Sequence, residues 1–293
     1  MDSNDTNLPL VLRRALSARG WNQQMRYRSG AGGDTANSGL LTHSGGRCFV
    51  KMHPNAALLA AEEAGLRALA PWLRVPQVEG RYADEAGGVL FLEALVLEPL
   101  GQAGWRAAGQ ALAGLHRGAT NTVYGGVADN FIGGMPQHNS DESEWPRFFA
   151  RQRLQPQLQW ATQKGLPAPA CRAVHRVIEH LPNWLPRRPA SGLLHGDLWM
   201  GNLGQIDGAE PVFFDPACYY GDPQVDLAML NLFGRPPEAF YHGYQEGHLP
   251  TPEQRARWPV YDLYHWLNHF NLFGHPYTSA VTDTARLLCR ELE

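Results

Sequence analysis

The sequence predicts a two-lobed α+β protein: a small N-terminal lobe built on an antiparallel sheet with one helix, and a larger, mostly helical C-terminal lobe. Three observations predict it. Strand-like runs and glycine turns crowd into the first hundred residues, helical spacing of apolar residues dominates afterwards, and Pro99-Leu100-Gly101 interrupts the pattern between them. The chain has 293 residues, 44% of them hydrophobic, more than most single cores hold. The expected division is therefore an N-terminal lobe over 1–98, a hinge at 99–101 and a C-terminal lobe over 102–293.

In residues 8–20 the apolar Leu8, Val11, Leu12, Ala15 and Leu16 recur at three and four, which predicts an amphipathic helix ended by Gly20 and packed on the first lobe. A glycine-rich turn follows at 28–34, and then residues 38–41 and 47–52, joined through Ser44-Gly45-Gly46, read as a β-hairpin. Residues 56–70, rich in Ala, Leu and Glu and closed by Pro71, read as a helix. Residues 89–98 read as one or two strands. Beyond the hinge, 105–116, 144–163 and 167–180 read as helices. Leu193-Leu194 and Val212-Phe213-Phe214 are short apolar runs flanking a loop, and 261–273 is a long aromatic helix.

A formal net charge of −3, with no run of five or more Lys or Arg, leaves no electrostatic footprint for nucleic acid or an anionic membrane. The acidic start Met1-Asp2-Ser3-Asn4-Asp5 leads into no apolar segment, and the most apolar stretch, 89–100, is interrupted by Glu93 and Glu98, so neither an export signal nor a membrane span is expected. Cys48, Cys171, Cys218 and Cys289 are far apart and suggest neither zinc ribbon nor disulfide framework. A cytoplasmic setting with reduced thiols fits.

Chemistry concentrates in His195-Gly196-Asp197-Leu198-Trp199-Met200-Gly201-Asn202, followed thirteen residues after Asn202 by Asp215-Pro216. Phosphoryl transfer to an alcohol needs a carboxylate near the hydroxyl proton and oxygen ligands that hold Mg²⁺ against the phosphates. Asp197 suits the first role, Asn202 and Asp215 the second. Each residue alone is more often a turn or a cap, but the ordered set has the spacing of a phosphotransferase catalytic loop and metal-binding Asp, with a lysine-bearing hairpin and helix upstream. His265 and His269 share a helical face, yet without a Glu after His265 they are not expected to bind zinc.

These segments resemble the fructosamine (ketosamine) kinases, which belong with the aminoglycoside phosphotransferase group of protein-kinase-like folds. The resemblance runs nearly end to end. It is carried by Gly32-Gly33-Asp34, residues 47–51, Leu95-Val96-Leu97-Glu98, residues 145–154 (WPRFFARQRL), residues 195–202 (HGDLWMGN), Asp215-Pro216-Ala217 with Tyr219-Tyr220-Gly221-Asp222, Asp226-Leu227-Ala228-Met229, and residues 267–274 (LNHFNLFG).

The resemblance implies that Lys51 contacts the α/β-phosphates and is held by Glu62, preferred over Glu63, on the following helix. Gly30, Gly32 and Gly33 would approach the phosphates with their main chain, and Glu98 and its neighbours would offer main-chain groups to adenine. His195 and Asp226 would support the catalytic loop, while Trp199 and His269 are candidates for the acceptor pocket. Three departures stand out: Pro223-Gln224 where the family commonly has Arg-Glu, Met200 where Ser is usual, and Thr35 where Ile is usual. The first two are expected near the acceptor.

Together these readings imply an ATP- and Mg²⁺-dependent phosphotransferase acting on O3 of a ketosamine. The acceptor would be a free sugar-amine adduct or a glycated lysine, the role protein deglycation or metabolite repair, and a monomer the expected state. The alternatives are a kinase for another amine alcohol, such as an aminoglycoside or choline, and a catalytically silent nucleotide-binding module.

Overall fold

A computed structural model of the chain describes residues 8–21, 25–30, 37–245 and 250–293. The helix expected at the start is α1 (Leu10–Ala18), followed by Gly20 at φ 71°. It buries Leu12, Ala15 and Leu16 against Leu41, Cys48, Val50 and Phe91 of the sheet below it.

That sheet comprises β1 (Arg26–Ser29), β2 (Asn37–His43), β3 (Gly46–His53), then, after α2 (Ala56–Leu69), β4 (Val78–Asp84) and β5 (Gly87–Glu93). Its order is β1-β2-β3-β5-β4, antiparallel throughout. Side chains alternate across a strand. In β3 this sends Cys48, Val50 and Met52 into the core under α1 and turns Phe49 and Lys51 to the opposite face. Cys48 is thus a core residue, and burial pushes its thiol up to about 11.

Two differences from the sequence reading concern strands. β4 has no fully buried residue and alternates between half-buried and exposed along its length, so it carries no apolar run that would announce a strand. β5 ends at Glu93, opposite Cys48, and the chain then runs without helix or strand pairing with the sheet until α3 (Gln102–Gly118). Residues 94–101, which include the expected hinge 99–101, thus carry no helix or strand of the sheet.

A short hairpin follows, β6 (Asn130–Ile132) and β7 (Met135–Gln137). α4 (Trp145–Phe148) passes through a π-helical turn at Phe149–Leu154 into α5 (Gln155–Gln163). Pro156 explains part of this irregularity: it has no N–H for the carbonyl of Gln152, one turn earlier, and Arg153 Nη1 donates to that oxygen at 2.9 Å instead. α6 (Ala168–Glu179) leads to β8 (Gly192–Leu194), β9 (Leu203–Ile206), β10 (Glu210–Phe213) and β11 (Tyr219–Gly221). The chain closes with α7 (Gln224–Leu232), α8 (Glu238–Tyr244), α9 (Pro252–Arg255), α10 (Trp258–Phe273) and α11 (Thr278–Arg290).

β9 pairs with β10, placing Phe213 opposite Leu203, and β8 pairs with β11, placing Leu194 opposite Tyr219. The two ladders bring the segments 195–202 and 214–218 side by side. One hydrophobic core fills the C-terminal lobe around α5, α6, α10 and α11; another runs from Leu59, Leu66, Leu90 and Leu92 across to Trp105, Leu112, Phe213 and Leu227. The lobes therefore share apolar packing. No described helix is long and apolar enough to cross a membrane.

Asp262, on α10, has Oδ1 buried without a hydrogen-bond partner, and burial raises its carboxyl from 3.8 to about 8. The folded state then binds a proton that the unfolded chain has lost, so this group's contribution makes stability fall as pH rises from about 4 to about 8. Asp262→Asn removes that dependence. Its melting temperature is expected to match the wild type near pH 4 and to exceed it by roughly 2–4 °C or more near pH 8; equal melting curves at both pH values in thermal scans would refute the assignment.

Candidate active site

The segment 195–202 is held from beneath by a buried carboxylate. Asp226, in the first turn of α7 and fully buried, accepts from the amides of His195 (2.8 Å) and Gly196 (2.9 Å) and from His116 Nε2 (3.0 Å). Burial pushes this carboxyl up, but His116 and the amide donors prevail and hold it below the usual carboxylate range. His116 Nδ1 meets the hydroxyl of Tyr244 at 2.8 Å. His116 and Tyr244 were not singled out in the sequence. Nothing in the spacing of α3 and α8 shows that their polar tips converge on one carboxylate.

Gly196 sits at φ 82°, and a Cβ there would overlap the carbonyl oxygen of Ala217. Only glycine allows the two loops to approach this closely. The His195 ring packs under the loop, with Nε2 donating to Phe214 O at 3.1 Å and Nδ1 accepting from the Asp197 amide at 3.4 Å. Burial lowers its pKa, consistent with a neutral ring in that tautomer. His195 thus supports the loop from within and points no nitrogen at the cavity.

Above this frame stand Asp197, Asn202 and Asp215. Asn202 Nδ2 donates to Asp197 O at 2.8 Å and, more weakly, to Asp197 Oδ2 at 3.4 Å. Burial raises the Asp197 carboxyl to about 7, nearby Asp215 adds to the rise, and Asn202 opposes it. Asp215 adopts φ 58°, an uncommon conformation for a residue with a side chain. Its carboxylate forms an ion pair with Lys51 Nζ, which also reaches Glu62 Oε1 at 2.6 Å. Burial alone would lower the pKa of Lys51, but Glu62 and Asp215 raise it above its ordinary value, so the ammonium is charged.

The choice between Glu62 and Glu63 is clear in the geometry: Glu63 pairs instead with Arg81 (2.8 Å) and Arg67 (3.0 Å) on the outer side of α2. Gly65 makes the approach of α2 possible. A Cβ there would lie 2.9 Å from Pro216 Cγ, immediately after Asp215.

Lys51, Glu62, Asp197, Asn202 and Asp215 line one cavity of about 400 Å³. Trp199 and His269 line it too, together with Phe131 and Phe233, absent from the sequence expectations, and Phe273, whose place in the aromatic stripe of the helix 261–273 suggested core packing. Phe131 comes from the unpredicted β6–β7 hairpin. That hairpin is fastened to the 214–218 segment through Asn130 Nδ2 to Cys218 O (2.7 Å) and Gln137 Nε2 to Ala217 O (3.0 Å).

Other expected site residues fall differently. The amide and carbonyl of Glu98 are both bonded to Gln205, at 3.0 and 2.9 Å, so its amide is not available to a ligand. Gly32 and Gly33, with Thr35, lie outside the described residues, and Gly30 is engaged through its amide with Ser38 O at 3.0 Å. Pro223 and Gln224 do not line the cavity. They begin α7, where Asp222 accepts from Tyr261 Oη (2.7 Å) and Arg257 Nη1 (3.0 Å), and Gln224 Oε1 from Trp258 Nε1 (3.1 Å). This departure is thus absorbed by packing against α10 rather than by the acceptor side. His265 is fully buried and, with its pKa lowered to about 3 by burial, stays neutral; among the described residues no cluster of three His, Cys, Asp or Glu side chains could hold a metal.

A sheet lobe whose lysine pairs with a helix carboxylate, and a helical lobe presenting an Asp, an Asn and a second Asp on adjoining loops, define a phosphotransferase that uses a hydroxyl as acceptor. The fold agrees: a thermostable mutant of aminoglycoside phosphotransferase APH(4)-Ia superposes with a TM-score of 0.68 over 95% of this chain and 98% of that one, at 13% identity. The family is narrower. The fructosamine kinase family model matches residues 13–291, and the chain belongs to that family. A probable ketoamine kinase of Synechocystis sp. is 39% identical over 256 residues, covering 85% of each chain. A crystal structure from Thermobifida fusca, of a protein with a provisional fructosamine-3-kinase name, has a TM-score of 0.83 at 31% identity and covers 97% of this chain and 100% of its own.

If Asp226 holds the loop as described, Asp226→Asn leaves two loop amides and His116 competing for one amide oxygen, with an NH₂ group facing donors. The unfolding free energy is expected to fall by roughly 2–4 kcal/mol, with turnover falling as well. Chemical denaturation measures the first, and an unchanged midpoint would show that the loop is secured elsewhere.

Proposed function

We propose that this chain transfers the γ-phosphoryl group of ATP to the 3-hydroxyl of a ketosamine, a sugar-derived amine adduct, and so acts in protein deglycation or metabolite repair. The observation that carries the reading is the meeting of Asp197, Asn202, Asp215 and Lys51 on one cavity whose remaining wall combines aromatic rings with aliphatic side chains. Free adducts and glycated lysine side chains both present the required hydroxyl, and a monomer in the cytoplasm suffices for the reaction.

Asp197, lining the cavity and held by Asn202 Nδ2 at 3.4 Å, is placed to accept the acceptor's hydroxyl proton and to orient that oxygen. Lys51 holds the α- and β-phosphates, exchanging part of its contact with Asp215 for phosphate oxygens while Glu62 keeps the ammonium in place. Adenine lies against the 94–101 connection, where Leu95 has no main-chain partner among the described residues and Glu98 is already paired. Asn202 and Asp215 fit Mg²⁺: both offer hard oxygen atoms, Nδ2 of Asn202 being committed to Asp197 so that Oδ1 remains for a cation. Bound there, Mg²⁺ would neutralise charge on the transferring phosphates.

The lining argues against an aminoglycoside acceptor. Its carboxylates are Glu62, Asp197 and Asp215, of which Glu62 and Asp215 share Lys51, so no acidic groove is left for a polycation. A silent nucleotide-binding module is disfavoured because no member of the catalytic set is missing.

The test is Mg²⁺-dependent ATP turnover with fructosamine- and ribulosamine-lysine, erythrulosamine, kanamycin and choline. Phosphorylation of a ketosamine is expected, lowered about 10²–10⁴-fold in Asp197→Asn, with the product carrying phosphate on O3 by NMR. Turnover confined to kanamycin or choline would discard the substrate, and nucleotide binding without any turnover would discard the enzyme.

A further inference from the structure

Water-exposed large apolar side chains gather at the mouth of the cavity. Trp199 and Met200 are each 39% exposed, Phe233 40% and Phe273 42%. Exposed apolar surface concentrated in one place marks a binding site more often than it marks packing. Trp199, Phe233 and Phe273 line the cavity that also holds Asp197, so the patch is continuous with the site of chemistry.

The rings form a strip rather than a scatter. Trp199 meets Phe233 edge-on with centroids 5.9 Å apart, Phe233 lies 5.1 Å from His269, and His269 lies 5.8 Å from Phe273. Two glycines set its edge. A Cβ on Gly201 would overlap the indole of Trp199, which therefore folds back over the loop, and a Cβ on Gly234 would sit 2.8 Å from Met200 Cε, which extends the strip beyond the cavity. The strip itself carries no carboxylate.

A ketosamine has two ends. Its hydroxylated sugar must reach Asp197, which leaves the substituent on nitrogen to lie along whatever borders the cavity on the acceptor side. Exposed ring faces favour flat or apolar groups and attract a single cation, such as a protonated secondary amine. Resting on the ketosamine reading above, we propose that Phe233, Phe273 and Met200, with Trp199, form the subsite for the amine substituent, selecting acceptors whose nitrogen bears an aromatic or long alkyl group.

The experiment keeps the sugar constant and varies the amine. Fructosamines of methylamine, hexylamine and benzylamine are compared as substrates of the wild type, Phe233→Ser, Phe273→Ser, Met200→Ser and Phe233→Leu, each first checked for a wild-type melting transition. In the wild type, kcat/KM for the benzyl adduct is expected to exceed that for the methyl adduct by about tenfold or more, mainly through KM. That ratio should fall toward one in Phe233→Ser and Phe273→Ser and by a smaller factor in Met200→Ser. Phe233→Leu, which keeps apolar bulk without a ring, should retain the hexyl preference and lose most of the benzyl preference. A loss of fold alone would lower all three substrates together and leave the ratio unchanged. A ratio near one in the wild type, or the same ratio in every folded variant, overturns the subsite while leaving the ketosamine reading intact. If none of the three adducts is phosphorylated, the ketosamine reading fails and the subsite with it.

Discussion

One ammonium group holds the cleft together. Lys51 stands on β3 between Glu62 of α2 and Asp215 of the β10–β11 loop; Lys51 and Glu62 are largely removed from water, while the Asp215 side chain is 40% exposed. Without that cation, two carboxylates would face each other close to a third, Asp197. Removing one partner of a buried pair such as Lys51–Glu62 typically costs about 3–5 kcal/mol, and the more exposed Asp215 contributes less because water screens it. The pair also fixes geometry, because it joins the sheet, helix α2 of the small lobe and a loop of the large lobe. Gly65 and the shared apolar core that runs from Leu66 to Phe213 let these pieces come close enough for the ion pair to form.

The second lobe answers with a frame built from the opposite charge. Asp226 receives two loop amides and His116, so the chain around Gly196 and Asp197 is set by hydrogen bonds to an anion rather than by its own turn preference. Asp215 is held at φ 58°, and a residue with a side chain in that region stores about 1–3 kcal/mol of strain that the surroundings must offset. The β8–β11 and β9–β10 ladders on either side supply that constraint. Positioning is thus purchased by the scaffold before any ligand arrives, as catalysis by orientation requires.

Much of this was legible in the amino acids. The helix 8–20, the lysine hairpin, the helix after it and the ordered set His195, Asp197, Asn202 and Asp215 follow from spacing and composition, because each is a local pattern. Other features left no local trace. β4 is half-exposed along its length, and β6 and β7 are three residues each, too short to show alternation. The end of β5 at Glu93 depends on where its partner strand stops, not on its own residues. Glu98 looked free for a ligand, but Gln205, far along the chain, occupies both of its main-chain groups.

By itself, then, the sequence determined the two-lobed α+β class, the family, and the identity of the groups that meet at the cleft, since these rest on residue types at short, regular spacing. Only the tertiary structure decided that His116 and Tyr244 brace the loop through Asp226, and that Phe131, Phe233 and Phe273 border the cavity with Trp199 and His269. Those outcomes depend on which faces of distant elements pack together, a balance of burial and charge pairing summed over the whole fold that no short window of sequence contains.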